Sequence, residues 1–405
     1  MQKSAAQRLV LFVGGFDPRG AAYYHRLMRQ QAQLQSAVVG AAYQIGPRER
    51  WPAGEQADLP HAAWRVSSAQ GQSADYVFYD WSDVVRSHWP KSRWAVASQA
   101  LKTYALVWKE RRCLGPLHQQ TPYTLWTLAY PLVYGLLFVL FAVLAAWGAV
   151  QLLPQIASTA SLVWNVLAAV LTALAVLGLG WKLDGVLHVS WIMRIMNFAR
   201  EAAESNGVPA LQQRHAATAK VLAEELAAHP ERELLVVGFS VGSAMAVDLL
   251  HSLQQQLTQE QLTQEQWQRV RLVTLGNCIP LFSLMPQATQ MRQHLLDLAQ
   301  DANWFWADIS SPGDSVSFGM CDLMHLSLRE SYLPKSQPLH NPQCMCTPRF
   351  HKLFRPDTYR WLRRNKMRMH FQYLMAAQLR GGYDYFAMLT HAGPVEDFVR
   401  KRLLR

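Results

Sequence analysis

From residue 113 to residue 181 the chain contains no Asp, Glu, Lys or Arg: 69 consecutive uncharged positions in a sequence whose charged share is 17%. Soluble domains carry charge on about a quarter of their residues, so an ordinary solvated surface is excluded for that stretch. Cysteine is scarce too. The five thiols, Cys113, Cys278, Cys321, Cys344 and Cys346, are scattered, odd in number and too few to staple 405 residues, which excludes a disulfide framework and favours a reducing compartment. The apolar run 9–13 is only five residues long and ends in Gly14-Gly15, so no cleavable signal peptide is expected. Acidic residues are outnumbered, 28 against 39 Lys and Arg, for a formal charge of +11. That balance favours polyanionic partners or an anionic membrane face.

What is present is mostly globular sequence. Half the residues are hydrophobic and 15 are Trp, which excludes a disordered or fibrous chain, and a mean hydropathy near zero excludes a polytopic transporter. Any membrane-embedded part is therefore a minority, and the length gives a soft prior of two or three modules. The uncharged gap holds two apolar stretches, 125–150 and 162–180, separated by a Pro- and Ser-containing stretch at 151–161. Each approaches the ~20 residues that cross a bilayer as a helix. Trp126, Tyr130, Tyr134, Trp164 and Trp181 stand near their ends as interfacial anchors. Lys102, Lys109, Arg111 and Arg112 precede the first stretch, and Lys182, Arg194 and Arg200 follow the second. The positive-inside rule then puts both flanking segments in the cytoplasm. The expected organisation is 1–112, the first part of a globular domain; 113–189, a transmembrane hairpin; and 190–405, the rest of that domain, in an integral protein of the inner or cytoplasmic membrane.

The flanks read as alternating strand and helix. Strands are expected at 7–13, 74–79, 233–237, 270–275 and 303–309, and helices at 190–205, 211–228 and from Ser243 to about 253, while 48–73 reads as loop. The Gln-rich stretch 254–268, with Gln-Leu-Thr-Gln-Glu twice in tandem at 256–260 and 261–265, reads as a solvated extension. Strands alternating with helices imply a mostly parallel sheet covered on both faces.

Between the strand 233–237 and its helix lies Gly238-Phe239-Ser240-Val241-Gly242. A serine held on so tight a strand-to-helix turn leaves room only for glycine two residues to either side. A plain Gly-containing turn is the competing reading. With that strand and helix context the sequence resembles the α/β-hydrolase family, in which the elbow serine is followed in chain order by an acid and a histidine. The resemblance implies Ser240 as nucleophile and Asp314, in the Pro-Gly loop after the fifth strand, as acid, with Asp308 its rival and Asp322 a weaker one. Among His325, His340, His351, His370 and His391 it favours His370, because Met369-His370-Phe371-Gln372-Tyr373 is similar to the His-x-x-Tyr opening the last helix of lipase-like members. The oxyanion donors it implies are the N–H groups of Val241 and Phe16, the latter in Gly14-Gly15-Phe16 after the first strand.

The resemblance covers about 7–80 and 230–380. The chain opens at what would be the family's third strand, with no room for the usual first two, and the membrane hairpin stands where a cap would be. The implied function is a membrane-anchored serine hydrolase acting on an ester or thioester with an acyl chain, without cofactor; a non-catalytic membrane adaptor keeping the same fold is the alternative. Cys344-x-Cys346 with His340 and His351 fits no standard zinc spacing, so no metal is expected. Between 349 and 368 eight Lys or Arg face one acid, Asp357. Without a nucleic-acid-binding fold, Arg363, Arg364, Lys366 and Arg368 read as a surface for anionic lipid headgroups.

Overall fold

The run Arg8–Val13 forms β1, and all six of its residues are buried, as expected of a strand with both faces covered. Eight further strands follow: β2 (Tyr43–Ile45), β3 (Glu49–Arg50), β4 (Ala62–Ser68), β5 (Ser73–Tyr79), β6 (Glu233–Phe239), β7 (Val270–Leu275), β8 (Phe305–Ile309) and β9 (Gln343–Cys346). The computed structural model describes residues 8–52, 59–70, 72–90, 92–109, 111, 114–156, 162–205, 207–259, 264–300, 304–328 and 341–404. Its sheet runs β2-β4-β5-β1-β6-β7-β8-β9, with β3 also paired to β4. From β5 to β9 all neighbours are parallel; β4 runs antiparallel to β2, β3 and β5. The chain is an α/β protein with a mostly parallel mixed sheet.

Residues 48–73, expected as loop, hold β3, the whole of β4 and the first residue of β5. In β4 Ala62, Trp64 and Val66 are buried while Ala63, Arg65 and Ser67 are only partly covered, a period-2 pattern cut short by polar neighbours. Trp64 lies opposite Tyr76 of β5, ring centroids 5.0 Å apart. Strand β9, also unforeseen, is four residues long.

Val10 and Phe12 of β1 join one core cluster with Tyr24, Met28 and Ala32 of the helix Ala21–Val39 and with Tyr373, Phe386 and Phe398 near the C-terminus. The alternate residues Leu9, Leu11 and Val13 are buried as well, so both faces of the sheet are covered. His61 and His215 lie inside the fold, and burial holds their pKa down at about 3 and about 4. His61 Nδ1 accepts from the Asp80 N–H at 3.1 Å, and its Nε2 faces Thr218 Oγ1 at 2.9 Å.

The chain divides into two compact units. One comprises the residues up to Trp89, Leu106–Thr124 and Phe198 onward; the other is Pro90–Ala105 with Leu125–Asn197. Two helices, Pro122–Ile156 and Leu162–Leu187, are long and apolar enough to cross a membrane, with mean hydropathies of 2.4 and 2.3 in their most apolar parts. Almost none of those parts is buried, unlike the core helices of a soluble protein. They run beyond the expected 150 and 180, so 151–156 is helix; 157–161 fall outside the described residues. Within this unit the two helices meet closely: Tyr134 Oη donates to Gly180 O at 2.6 Å, and a Cβ at Gly180 would stand 2.7 Å from the Phe138 ring.

Candidate active site

Strand β6 ends in Gly238-Phe239, and the chain turns at Ser240 into the helix Gly242–Gln259. Ser240 has φ +57°, a left-handed conformation that a residue with a Cβ holds only when its surroundings impose it. Those surroundings are visible. A Cβ on Gly242 would lie 2.1 Å from Val13 O, and one on Gly238 would lie 2.7 Å from Ser243 Cα. The turn is thus pressed onto the end of β1 and its own helix, leaving space for glycine alone at both positions. Ser243 Oγ donates to Ser240 O at 2.5 Å and accepts from Cys278 N at 2.9 Å, locking the turn from below.

The loop after β1 rests on the serine: a Cβ on Gly15 would stand 3.0 Å from Ser240 Cβ and 3.3 Å from Oγ. Phe16 follows, its ring buried among Trp81, Trp89 and Phe198 with centroids at 6.1, 5.6 and 4.8 Å. Neither Phe16 N–H nor Val241 N–H meets an acceptor among the described residues.

Asp314 and His370 are brought together. His370 Nδ1 lies 2.8 Å from Asp314 Oδ2, with both side chains almost wholly buried. Asp314 Oδ2 also accepts from Ser317 Oγ at 2.7 Å and Tyr373 Oη at 3.2 Å, and Oδ1 accepts from Val316 N–H at 3.1 Å. Since the carboxylate only accepts, Nδ1 carries a proton, which in the neutral ring leaves the lone pair on Nε2. That Nε2 is buried and unpartnered among the described residues. The imidazole stacks on Phe239, the residue before Ser240, with centroids 5.1 Å apart. Ser240 Oγ has only a loose contact with Cys278 Sγ at 3.8 Å, and no described histidine nitrogen is within hydrogen-bond reach of it. Burial raises the Cys278 thiol pKa to about 12, so that sulfur is inert.

The rivals lie elsewhere. Asp308, buried in β8, accepts from Thr274 Oγ1 at 2.7 Å, Asn277 Nδ2 at 2.8 Å and Ser310 Oγ at 3.1 Å, with Gln343 Nε2 at 3.5 Å. Burial outweighs those donors and raises its pKa to about 6; no described histidine touches it. Asp322 caps the helix Leu323–Ser327 by accepting from the His325 N–H. His325 and His351 are exposed, His391 packs on Phe398, and His340 lies outside the described residues. Cys344 and Cys346 take alternate positions in β9, and no group of three or more potential metal ligands occurs among the described residues.

Serine, acid and glycine loop all stand at the carboxyl ends of parallel strands, where open α/β sheets bind their ligands. Sequence reasoning missed Ser317, Tyr373 and Ser243; Tyr373 alone left a signal, three residues after His370. Comparisons with family models, characterised proteins and solved structures find no match.

Proposed function

We propose that the chain is a membrane-anchored serine hydrolase of the α/β-hydrolase type, cleaving an ester or thioester that carries an acyl chain. The observation that carries this reading is the buried Asp314–His370 pair stacked beside a serine at positive φ. Ser240 Oγ attacks the carbonyl carbon while His370 Nε2 takes its proton; Asp314 holds the ring tautomer and offsets the imidazolium charge. His370 then protonates the departing alcohol or thiol, leaving an acyl-Ser240. Water, deprotonated by the same Nε2, releases the acid and restores the serine. Phe16 N–H and Val241 N–H, both without acceptors among the described residues, suit the developing oxyanion.

The apolar helices anchor the body, with both termini on the cytoplasmic side by the positive-inside rule. Arg363, Arg364, Lys366 and Arg368, exposed just ahead of His370, suit anionic headgroups. The missing contact between Ser240 Oγ and His370 favours a second reading, a membrane adaptor that keeps the fold without catalysis, although catalytic contacts are often loose before substrate binds. Hydrolysis of a short nitrophenyl ester by the full-length protein separates the two. The hydrolase reading expects turnover that Ser240→Ala abolishes; turnover equal in the variant, or none in wild type, favours the adaptor.

A further inference from the structure

The chain leaves the sheet-bearing unit for the apolar hairpin after Thr124 and returns to it at Phe198, and both junction residues are built into the candidate site. Thr124 is buried in the first turn of the helix Pro122–Ile156. Its Oγ1 donates to Ser317 O at 2.5 Å, and Ser317 Oγ donates to the Asp314 oxygen that faces His370. Four residues earlier, Gln120 Oε1 accepts from the Asp322 N–H at 3.0 Å, tying the same loop a second time. At the return, the Phe198 ring is the nearest aromatic neighbour of Phe16 at 4.8 Å and also touches Trp81 and Phe282.

We propose that Thr124 and Phe198 are positioning residues: the root of the first apolar helix holds the acid loop, and the root after the second holds the glycine loop. Neither touches the reacting atoms. A surface anchor would need only a flexible tether, whereas here one hydroxyl reaches the acid through a single serine. The inference rests on the hydrolase reading for its chemical consequence but not for its structural one.

The test uses full-length protein in lipid nanodiscs and two readouts, amide hydrogen exchange over 314–318 and the rate and pH profile of Ser240 labelling by a fluorophosphonate. Thr124→Val should speed the exchange and slow labelling about five- to tenfold, the factor one hydrogen bond is worth. Its labelling midpoint should move to lower pH, because a looser Asp314 supports the imidazolium less; Thr124→Ser should restore all three. Phe198→Leu should slow labelling without moving the midpoint, since it acts on the oxyanion side. Wild-type exchange and labelling in Thr124→Val would overturn the proposal. Faster exchange in Thr124→Val beside a wild type that never labels would remove the hydrolase reading and leave the coupling standing.

Discussion

Replacing Asp314 with Asn separates the two acids that the sequence left in competition. The carboxylate takes three donors on Oδ2 and one on Oδ1. An amide that keeps its oxygen toward His370, Ser317 and Tyr373 must turn its NH2 onto the Val316 N–H, donor against donor. Turned the other way, the Ser317 and Tyr373 hydroxyls can rotate to accept, but the NH2 meets the His370 Nδ1–H unless the ring proton moves to Nε2. The substitution thus either leaves one opposed pair, costing about 1–3 kcal/mol of stability, or holds the imidazole in the wrong tautomer. The kinetic loss is larger, because the imidazolium formed during attack no longer faces a buried negative charge; triads with this substitution lose on the order of 10⁴ in kcat. Asp308→Asn opposes at least one donor on whichever oxygen becomes NH2, and so destabilises by a similar amount, but it leaves His370 untouched and should lower kcat less than about tenfold. Steady-state hydrolysis of a nitrophenyl ester, with thermal midpoints as the control for folding, gives both numbers. A loss above a hundredfold in Asp308→Asn, beside near-normal Asp314→Asn, would refute the assignment.

Three further outcomes follow from the same geometry. Gly15→Ala places a Cβ 3.0 Å from Ser240 Cβ, so it should displace the nucleophile and lower kcat while the melting temperature stays near wild type; Gly242→Ala, at 2.1 Å from Val13 O, should fail to give folded protein by circular dichroism. Neutralising Arg363, Arg364, Lys366 and Arg368 to Gln removes up to about 4 kcal/mol of attraction to an anionic surface, so activity in anionic proteoliposomes should fall while activity on a short soluble ester is kept. Acidification should destabilise the fold. His61 and His215 have folded pKa values depressed to about 3 and about 4, so the unfolded chain takes up their two protons below about 6.5 and their stability is lost as pH falls. Asp308, raised to about 6, works oppositely and gains a proton in the folded state below that value. The histidines win by one proton, about 1 kcal/mol per pH unit between 6 and 4. Denaturation at several pH values should show that decline, with a flatter profile in His215→Phe; a stability that rises on acidification would contradict it.

The long, periodic or fully buried segments were readable from sequence. Strand β1 has no polar residue after Arg8, and the apolar helices declare themselves through an absent charge. Strand β4 was not readable, because its inward Ala62, Trp64 and Val66 alternate with Arg65 and Ser67 beside a polar stretch, so a seven-residue amphipathic strand is swamped by its neighbours. Strand β9 was not readable either, because the four-residue run Gln343–Cys346 is too short to show a period and only its pairing with β8 makes it a strand. At the candidate site the glycines of the turn were legible because a Cβ has nowhere to go. Ser317 was not, because its role depends on a fold-back of three residues onto Asp314 that no local pattern encodes. The partnership of Asp314 with His370 across 56 positions could be proposed only from the order of residues along the chain.

The central claim is that Ser240 is a nucleophile served by His370. Full-length protein treated with a fluorophosphonate and examined by intact mass and peptide mapping tests it directly. The expected result is one phosphonyl group, carried by the peptide containing Ser240, abolished in Ser240→Ala and slowed by orders of magnitude in His370→Ala. No adduct on correctly folded wild type, or an adduct that persists in Ser240→Ala, would contradict it.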